Sequence, residues 1–427
     1  MKKIATTARQ RAAQPKLPGV SPLDRGRGRS SLTPKRPSED TSGLADVFPY
    51  YAGFAYDWAR TLLASQGLPR TAVVLDPWNG SGTTTLAAQH EGLRSVGIDR
   101  NPVANIVARL RLNSFTDDPI MVLPDAISRE IEPLEEDPLA AWFCPTSLVR
   151  IREWGCHLST LPIDECNLAY VALFRTIRAL TRSFEGSNPT WVKRAKEPSE
   201  LISIERAKFD AMVLVEQEFL ATRVLESAEA PSASAQIATA LSGALPVANN
   251  SIDSVLTSPP YLTRIDYAVA YTRELALLGV DISRDRSLRA ALMGTTLIRS
   301  GTASDLSLGS IADSLLADIS GHSSKASSGY YRKQAIQYLA DLTQGLSEIT
   351  RVTKPGGFLH LVVQDSYYKD VHVRLANICV EESELRGWSL VNSEPYAVRR
   401  TLTSLNKAAR NYKKSEVAET VVTLRKN

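Results

Sequence analysis

At 427 residues the chain has room for one large domain or two to three ordinary ones. Its 43% hydrophobic and 22% charged residues are the balance of a globular protein with a sizeable core. No apolar run approaches the ~20 residues of a membrane span, no signal-peptide core opens the chain, and four scattered cysteines (Cys144, Cys156, Cys166 and Cys379) make no disulfide framework. Those features predict a cytoplasmic location with no membrane partner. Net charge is only +4, but residues 1–40 hold ten Lys/Arg against three acids. From Ala397 to Asn427 there are eight basic residues against Glu416 and Glu419. Both ends are candidates for a polyanionic partner, or are solvated tails.

Residues 1–45, rich in Pro, Gly, Ser, Thr and Arg without a hydrophobic period, read as a disordered basic tail. Order is expected to begin near "VFPYYAGFAYDWARTLLAS", with a helix from about Gly53 to Ser65. "AVVL" (72–75) is a continuous apolar strand, "TTTLAAQHEG" a helix, "RSVGID" a second strand and "PVANIVARLRL" a helix with Pro102 in its first turn. This βαβα rhythm is the mark of a parallel sheet. Residues 115–230 break it with three stretches of helical spacing. They read as a helical insertion. The sheet framework then comprises 46–114 and 231–427. It resumes with a strand near Ala235 to Leu241, a turn at Asn249-Asn250 and a strand ending at Thr257. Residues 281–329, rich in Ser, Gly and Thr, read as an irregular insertion. A long helix, a tight turn at Lys354–Gly357, a strand from Phe358 to Val363, a helix near Leu375–Arg386 and two last strands complete the chain. The fold class expected is α/β: a Rossmann-like, doubly wound, seven-stranded and mostly parallel sheet, interrupted twice.

"LDPWNGSGTT" lies where such a fold holds a nucleotide-like ligand, at the carboxyl end of the first strand. Gly80 and Gly82 allow close backbone approach, and Thr83 and Thr84 open the next helix. No Lys follows the second glycine, so this is no phosphate loop. Asp76, followed by Pro77, Trp78 and, between the glycines, Ser81, would repel a pyrophosphate but suits a ligand with an ammonium group. S-adenosylmethionine, which carries an ammonium and a sulfonium, fits. Asp99 closes the second strand about twenty residues on, where an acid accepts both ribose hydroxyls. Its neighbours Arg100, Asn101 and Pro102 are candidates for the adenine wall.

"TSPPY" (257–261) ends the fourth strand beside that loop. Pro259 and Pro260 stiffen the backbone and remove two N–H donors. What remains is a row of acceptors, the Ser258 hydroxyl and the Ser258 and Pro259 carbonyls, with the Tyr261 ring to stack on. This equipment suits an exocyclic amine on a heterocycle. Acceptors on its two hydrogens free a lone pair otherwise delocalised into the ring, and stabilise the positive charge that develops. A base reaching such a pocket must leave its stack.

"DPWNGSGTT", "GID", "TSPPY" and "RVTKPGGFLHLVVQDS", in this order, resemble the amino-methyltransferases that methylate exocyclic nitrogens in DNA. The resemblance covers residues 46–112 and 234–396, makes 46–114 and 231–427 the catalytic domain, and leaves the helical insertion 115–230 as a candidate target-recognition region. It implies a class I methyltransferase fold and S-adenosylmethionine as donor. It further implies that Asp76, Gly80, Gly82 and Asp99 contact the donor, and that Ser258, Pro259 and Tyr261 hold the base in duplex DNA. "FPYYAGF" resembles the segment that packs on the donor's methionine end and brings in Tyr51 and Phe54. Ser before the two prolines is more typical of N4-cytosine enzymes, whereas Asp or Asn is usual for N6-adenine enzymes. The implied function is therefore an N4-cytosine methyltransferase of a restriction-modification or defence system, with a cognate restriction or defence protein as partner. An adenine enzyme, an RNA-directed relative and an inactive DNA-binding subunit are the alternatives. C5 chemistry needs a nucleophilic thiol, and the cysteines lie outside every motif. The chain departs from the family twice. "ALSGALP" offers Ser242 where an acid often contacts adenine, and the glycine loop precedes TSPPY where many N4-cytosine enzymes have the reverse.

Cys144, Cys156, His157 and Cys166 lack any C-x-x-C pair and read as core residues, so no metal is expected. The basic run 398–416 reads as a segment tracking a phosphate backbone, or as a solvated loop. His360, inside a strand, reads as a packed histidine.

Overall fold

An amphipathic helix, α1 (Tyr56–Ser65), leads into the apolar run that becomes the first strand, β1 (Val73–Asp76). The computed structural model describes residues 32–37, 40–50, 53–112, 121–127, 131, 136–186, 192–227, 233–262, 265–300, 307–397 and 417–427. After β1 come α2 (Thr83–His90), β2 (Arg94–Ile98) and α3 (Pro102–Leu112). The helical insertion supplies α4 (Pro145–Ser159), α5 (Ile163–Leu180) and α6 (Arg206–Glu226). β3 (Ala235–Ala238) and β4 (Ile252–Thr257) resume the sheet. Five helices follow: α7 (Tyr267–Ala270), α8 (Thr272–Leu277), α9 (Ser287–Ala291), α10 (Ser310–Gly321) and α11 (Arg332–Val352). The chain closes with β5 (Thr353–Gln364), a ribbon of β6 (Ser366–Tyr368) and β7 (Val371–Val373), then α12 (Leu375–Glu384), β8 (Trp388–Ala397) and β9 (Ala418–Lys426).

The main sheet has seven strands in the order β3-β2-β1-β4-β5-β9-β8. β1 to β5 run parallel, and β9 pairs antiparallel with both β5 and β8. This is the Rossmann-like, doubly wound sheet expected. β1 pairs with β2 on one side and β4 on the other (Leu75 opposite Val96 and Val255), so the strand order reverses there. A crevice opens at such a switch point, outside the carboxyl ends of the strands.

Alternate strand residues face opposite layers, which is why the central strands carry apolar residues on both faces. Val74, Leu256, Val362 and Val421 pack under α1 and α2. Leu75, Val255, Leu361 and Val422 pack under α10, α11 and α12. A third cluster joins α3, α7 and α8 to α4, α5 and α6, including fully buried Trp154, Phe174 and Phe209. Buried charges cross that junction. Arg152, paired with Asp137 inside the insertion, donates to the carbonyls of Ala276 and Leu277, and Arg178 pairs with Glu274. The insertion thus shares a core with the helices that follow β4. Removing one partner of such a pair strands a charge, at about 3–5 kcal/mol.

Three expectations are revised. Residues 281–329 are not irregular throughout: Ala312, Leu315, Leu316 and Ile319 give α10 a buried stripe at helical spacing. The Lys354–Gly357 turn is a bulge inside β5, where Thr353 pairs with Ile252 and Phe358 with Ser254. Order begins before residue 46. Ala55 N–H donates to the Pro34 carbonyl, Arg111 to that of Gly43, and Leu44 and Ala45 are buried. The run 398–416 and residues 1–31 lie outside the described residues. No described helix is long and apolar enough to cross a membrane.

Candidate active site

The carboxyl ends of β1, β2, β3 and β4 all empty into one cleft. β1 delivers Asp76, Pro77, Trp78, Asn79, Gly80, Ser81 and Thr83. β2 delivers Asp99, Arg100 and Asn101, β3 delivers Ala240 to Ser242, and β4 delivers Ser258 and Pro260. Tyr50, Gly53, Phe54, Tyr267 and Ala291 to Met293 complete the lining.

Asp76 is the hub, only 3% exposed. Its Oδ1 accepts from Trp78 N–H at 3.1 Å and from the Thr257 hydroxyl at 2.6 Å, and its Oδ2 from the Thr84 hydroxyl at 2.6 Å. Thr257 immediately precedes Ser258, so one carboxylate ties the glycine loop to the TSPPY segment. Burial pushes the Asp76 carboxyl up to about 6, against the lowering pull of those three hydrogen bonds. Half-buried Asp99 accepts from Gly80 N–H at 3.0 Å and Asn101 N–H at 2.8 Å, and withdrawal from water pushes it to about 6 as well. Two carboxylates so placed favour a cationic guest, which lowers the cost of ionising them.

The loop between them is locked. Gly80 has φ 51° and a Cβ there would lie 2.8 Å from the Tyr50 ring; Gly82 has φ 84° and a Cβ would lie 2.9 Å from that of Ala108. From behind, buried Arg111 donates to the Ser81 carbonyl at 2.7 Å and its hydroxyl at 3.0 Å. Burial lowers that guanidinium to about 9. Trp78 Nε1, Asn79 Nδ2 and Asn101 Nδ2 are buried, line the cleft and have no partner among the described residues. Orphaned donors beside raised carboxylates call for a guest with both acceptors and a cation.

At the other end the Ser258 hydroxyl lies 3.3 Å from that of Tyr261. Buried Tyr338 donates to the Pro260 carbonyl at 2.9 Å. The His360 ring is buried in β5, 3.0 Å from Thr423 Oγ1, and burial lowers it to about 4. Cys166 is buried and Cys144 and Cys156 are half-buried.

Of the residues singled out by sequence, Phe54, Asp76, Pro77, Trp78, Gly80, Ser81, Thr83, Asp99, Arg100, Asn101, Ser258 and Pro260 meet in the cleft. Gly82 and Thr84 stand behind it as supports, and Pro102 opens α3. Pro259 is buried, and half-buried Tyr261 packs against the cluster that holds α10, α11 and Met293, with its hydroxyl 3.3 Å from that of Ser258 in the cleft. Tyr51 lies outside the described residues. Sequence reasoning missed Tyr50, Asn79, Tyr267, Leu292 and Met293. Asn79 sits inside the quoted glycine motif and Tyr50 inside FPYYAGF, so a signal existed for both. Tyr267 and Met293 arrive only through packing.

No protein-family model matches the chain. Over 287 residues it is 26% identical to the Type II methyltransferase M.BsoBI of Geobacillus stearothermophilus, covering 58% of this chain and 55% of that protein. The chain thus spans just over half the length of that curated relative. Among solved structures it is similar to a SAM-dependent methyltransferase from Methanosarcina mazei (TM-score 0.30, 9% identity, covering 85% of this chain and 96% of that one). It is also similar to a geranyl diphosphate methyltransferase bound to GPP and sinefungin (TM-score 0.34, 7% identity, 88% and 80%). Likenesses of that size bear on neither substrate nor mechanism.

Proposed function

We propose that this protein is an S-adenosylmethionine-dependent methyltransferase acting on an exocyclic amine in duplex DNA, with N4 of cytosine as the acceptor. The observation that carries the reading is the Thr257–Asp76 hydrogen bond. It joins a site for a cationic, acceptor-bearing cofactor to a rigid row of acceptors. The similarity to a Type II methyltransferase supports the reading and suggests a restriction-modification or defence setting, with a cognate protein of that system as partner.

S-adenosylmethionine fits the residues present, and when bound it supplies an electrophilic methyl group on a sulfonium. Asp76 and Asp99 would take the ammonium and ribose ends. The orphaned donors of Trp78, Asn79 and Asn101 would meet its acceptor atoms. Ser258 Oγ and the carbonyls of Ser258 and Pro259 would accept from the two amine hydrogens, localising the nitrogen lone pair. They would also stabilise the charge developing on nitrogen. The Pro260 carbonyl is already taken by Tyr338, which holds the turn at a fixed angle. Neither a covalent intermediate nor a strong base is required.

Incubation with cofactor carrying a labelled methyl group tests this. Label is expected in duplex DNA in preference to RNA, and not with Ser258→Ala. Transfer by Ser258→Ala at the wild-type rate would contradict the site assignment, and preference for RNA the substrate.

A further inference from the structure

Resting on that reading, we propose that the exposed turn at 325–333, on the rim of the cleft, is where the phosphate backbone of the duplex docks, with Lys325, Arg332 and Lys333 as its contacts. A nucleotide whose base is extruded into a pocket stays joined to its strand through both phosphates, so the backbone must cross the pocket's rim. The strap 292–299 forms one side of that rim: its Leu292 and Met293 line the cleft with Ser258 and Pro260. The Tyr330 hydroxyl donates to the Thr296 carbonyl of this strap at 2.6 Å, which sets the turn directly against it.

Between Asp318 and Asp341 the chain carries these three cations and no acid. All three are exposed, and none has an ion-pair partner among the described residues. The cations on and before the strap differ: Arg289 is paired with Asp266, Arg299 with Asp341 and Arg284 with Glu136. Asp370, beyond β6, is engaged by His322. The charge of the turn is therefore left uncompensated by any described ion pair, and phosphate is the group of the proposed substrate that complements it.

The turn is also held still. Tyr330, 40% exposed, stands edge-on to Tyr331 at 5.1 Å and 82°. The Tyr331 ring lies 4.9 Å from that of Tyr368 and, like Tyr261, packs against the cluster that includes Met293. The buried Ser327 hydroxyl bonds that of Tyr368. On the strap, the Gln337 side chain of α11 accepts from Arg299 N–H at 2.8 Å and donates to the Leu297 carbonyl at 3.0 Å. Buried Asp266 accepts from Arg289 Nε at 2.9 Å and Thr296 Oγ1 at 3.1 Å, and caps α7 through Val269 N–H at 3.3 Å. The strap is thus bound to α7 on one flank and α11 on the other. A backbone seated on the turn is registered against the cleft, so contacts that read no sequence still fix where the base enters.

The test is binding by the full chain to a labelled duplex carrying the site that methylation mapping locates, read by fluorescence anisotropy across a salt series. The triple variant Lys325→Ala, Arg332→Ala, Lys333→Ala is expected to bind about 100-fold more weakly at ~0.1 M salt. The slope of log affinity against log salt should flatten by about 2 to 3. Cofactor affinity and Tm are expected to match wild type, which separates lost contacts from lost structure. Lys325→Arg with Lys333→Arg keeps the charge and should keep the wild-type slope. A wild-type slope in the alanine variant would overturn the proposal while the functional reading stands. The same flattening on RNA bound in preference to the duplex would overturn the choice of partner. Absence of methyl transfer to any duplex by the wild-type protein would overturn the functional reading, and this proposal with it.

Discussion

At the end of the cleft proposed to hold the cofactor, all four carboxylate oxygens of Asp76 and Asp99 accept from protein donors, and Arg111 clamps the glycine loop from behind. At the end proposed for the base the surfaces come from three separate stretches: the Ser258–Pro260 turn, Tyr267 and the Leu292-Met293 strap. Asp266 fastens the last two to each other, and Tyr338 holds the Pro260 carbonyl. The first end is cross-braced at adjacent strands of one sheet. The second is assembled by packing between insertions. Binding at the first should therefore be sensitive to charge, and turnover at the second to geometry. Thr257 is where the two meet.

The largest separation should come from Asp76→Ala. It removes the charge and takes the carboxylate partner from the Thr257 hydroxyl, while Thr84 keeps its bond to the Leu256 carbonyl. We expect cofactor affinity by calorimetry to fall about 100-fold, as for loss of a charge-assisted bond, and turnover to vanish. Affinity within two-fold of wild type would remove Asp76 from the cofactor site. Ser258→Ala should give the opposite pattern: turnover down about 100- to 1,000-fold with cofactor affinity unchanged. Equal losses in both would erase the proposed division of the cleft.

The pH dependence sharpens the comparison. With burial raising Asp76 to about 6, more of its carboxyl is protonated as pH falls below that value and less can balance a cation, so affinity should rise from pH 5 to 7 and then level off. Because burial raises Asp76 from 3.8 to about 6, the empty protein binds that proton more tightly than the unfolded chain. Its contribution favours folding at low pH and is lost as pH climbs from about 4 to 6, by up to about 3 kcal/mol. Thermal unfolding with and without cofactor would show the loss and its reversal. A flat profile would contradict the assignment of Asp76 as the cation's partner. Tyr338→Phe should have the smallest effect. Losing one neutral hydrogen bond to the Pro260 carbonyl is worth about 1 kcal/mol, so a several-fold drop in turnover is expected, without change in cofactor affinity.

This difference between the two ends also explains what could be read from the chain. β1 appears as an apolar run, β2 and β4 carry apolar residues just before their carboxyl ends, and the residues that end the three, Asp76, Asp99 and Ser258, reach the cleft by topology alone. Sequence order therefore sufficed for the cofactor end. Tyr267 and Met293 are placed by the Asp266 bonds and by helices that no local pattern orients. Two adjacent tyrosines in FPYYAGF carry no period that distinguishes Tyr50 from Tyr51. α10 was hidden because its Ser- and Gly-rich surroundings masked the stripe from Ala312 to Ile319. The β6–β7 ribbon is too short to show alternation.

The most direct measurement is nucleoside mass spectrometry, with methylation-sensitive sequencing, on DNA from cells expressing the protein. N4-methylcytosine at one short recurring sequence, lost with Ser258→Ala, is the expected result. N6-methyladenine there would keep the cleft chemistry but overturn the choice of base. Methylation at C5 of cytosine, or none above background, would contradict the account.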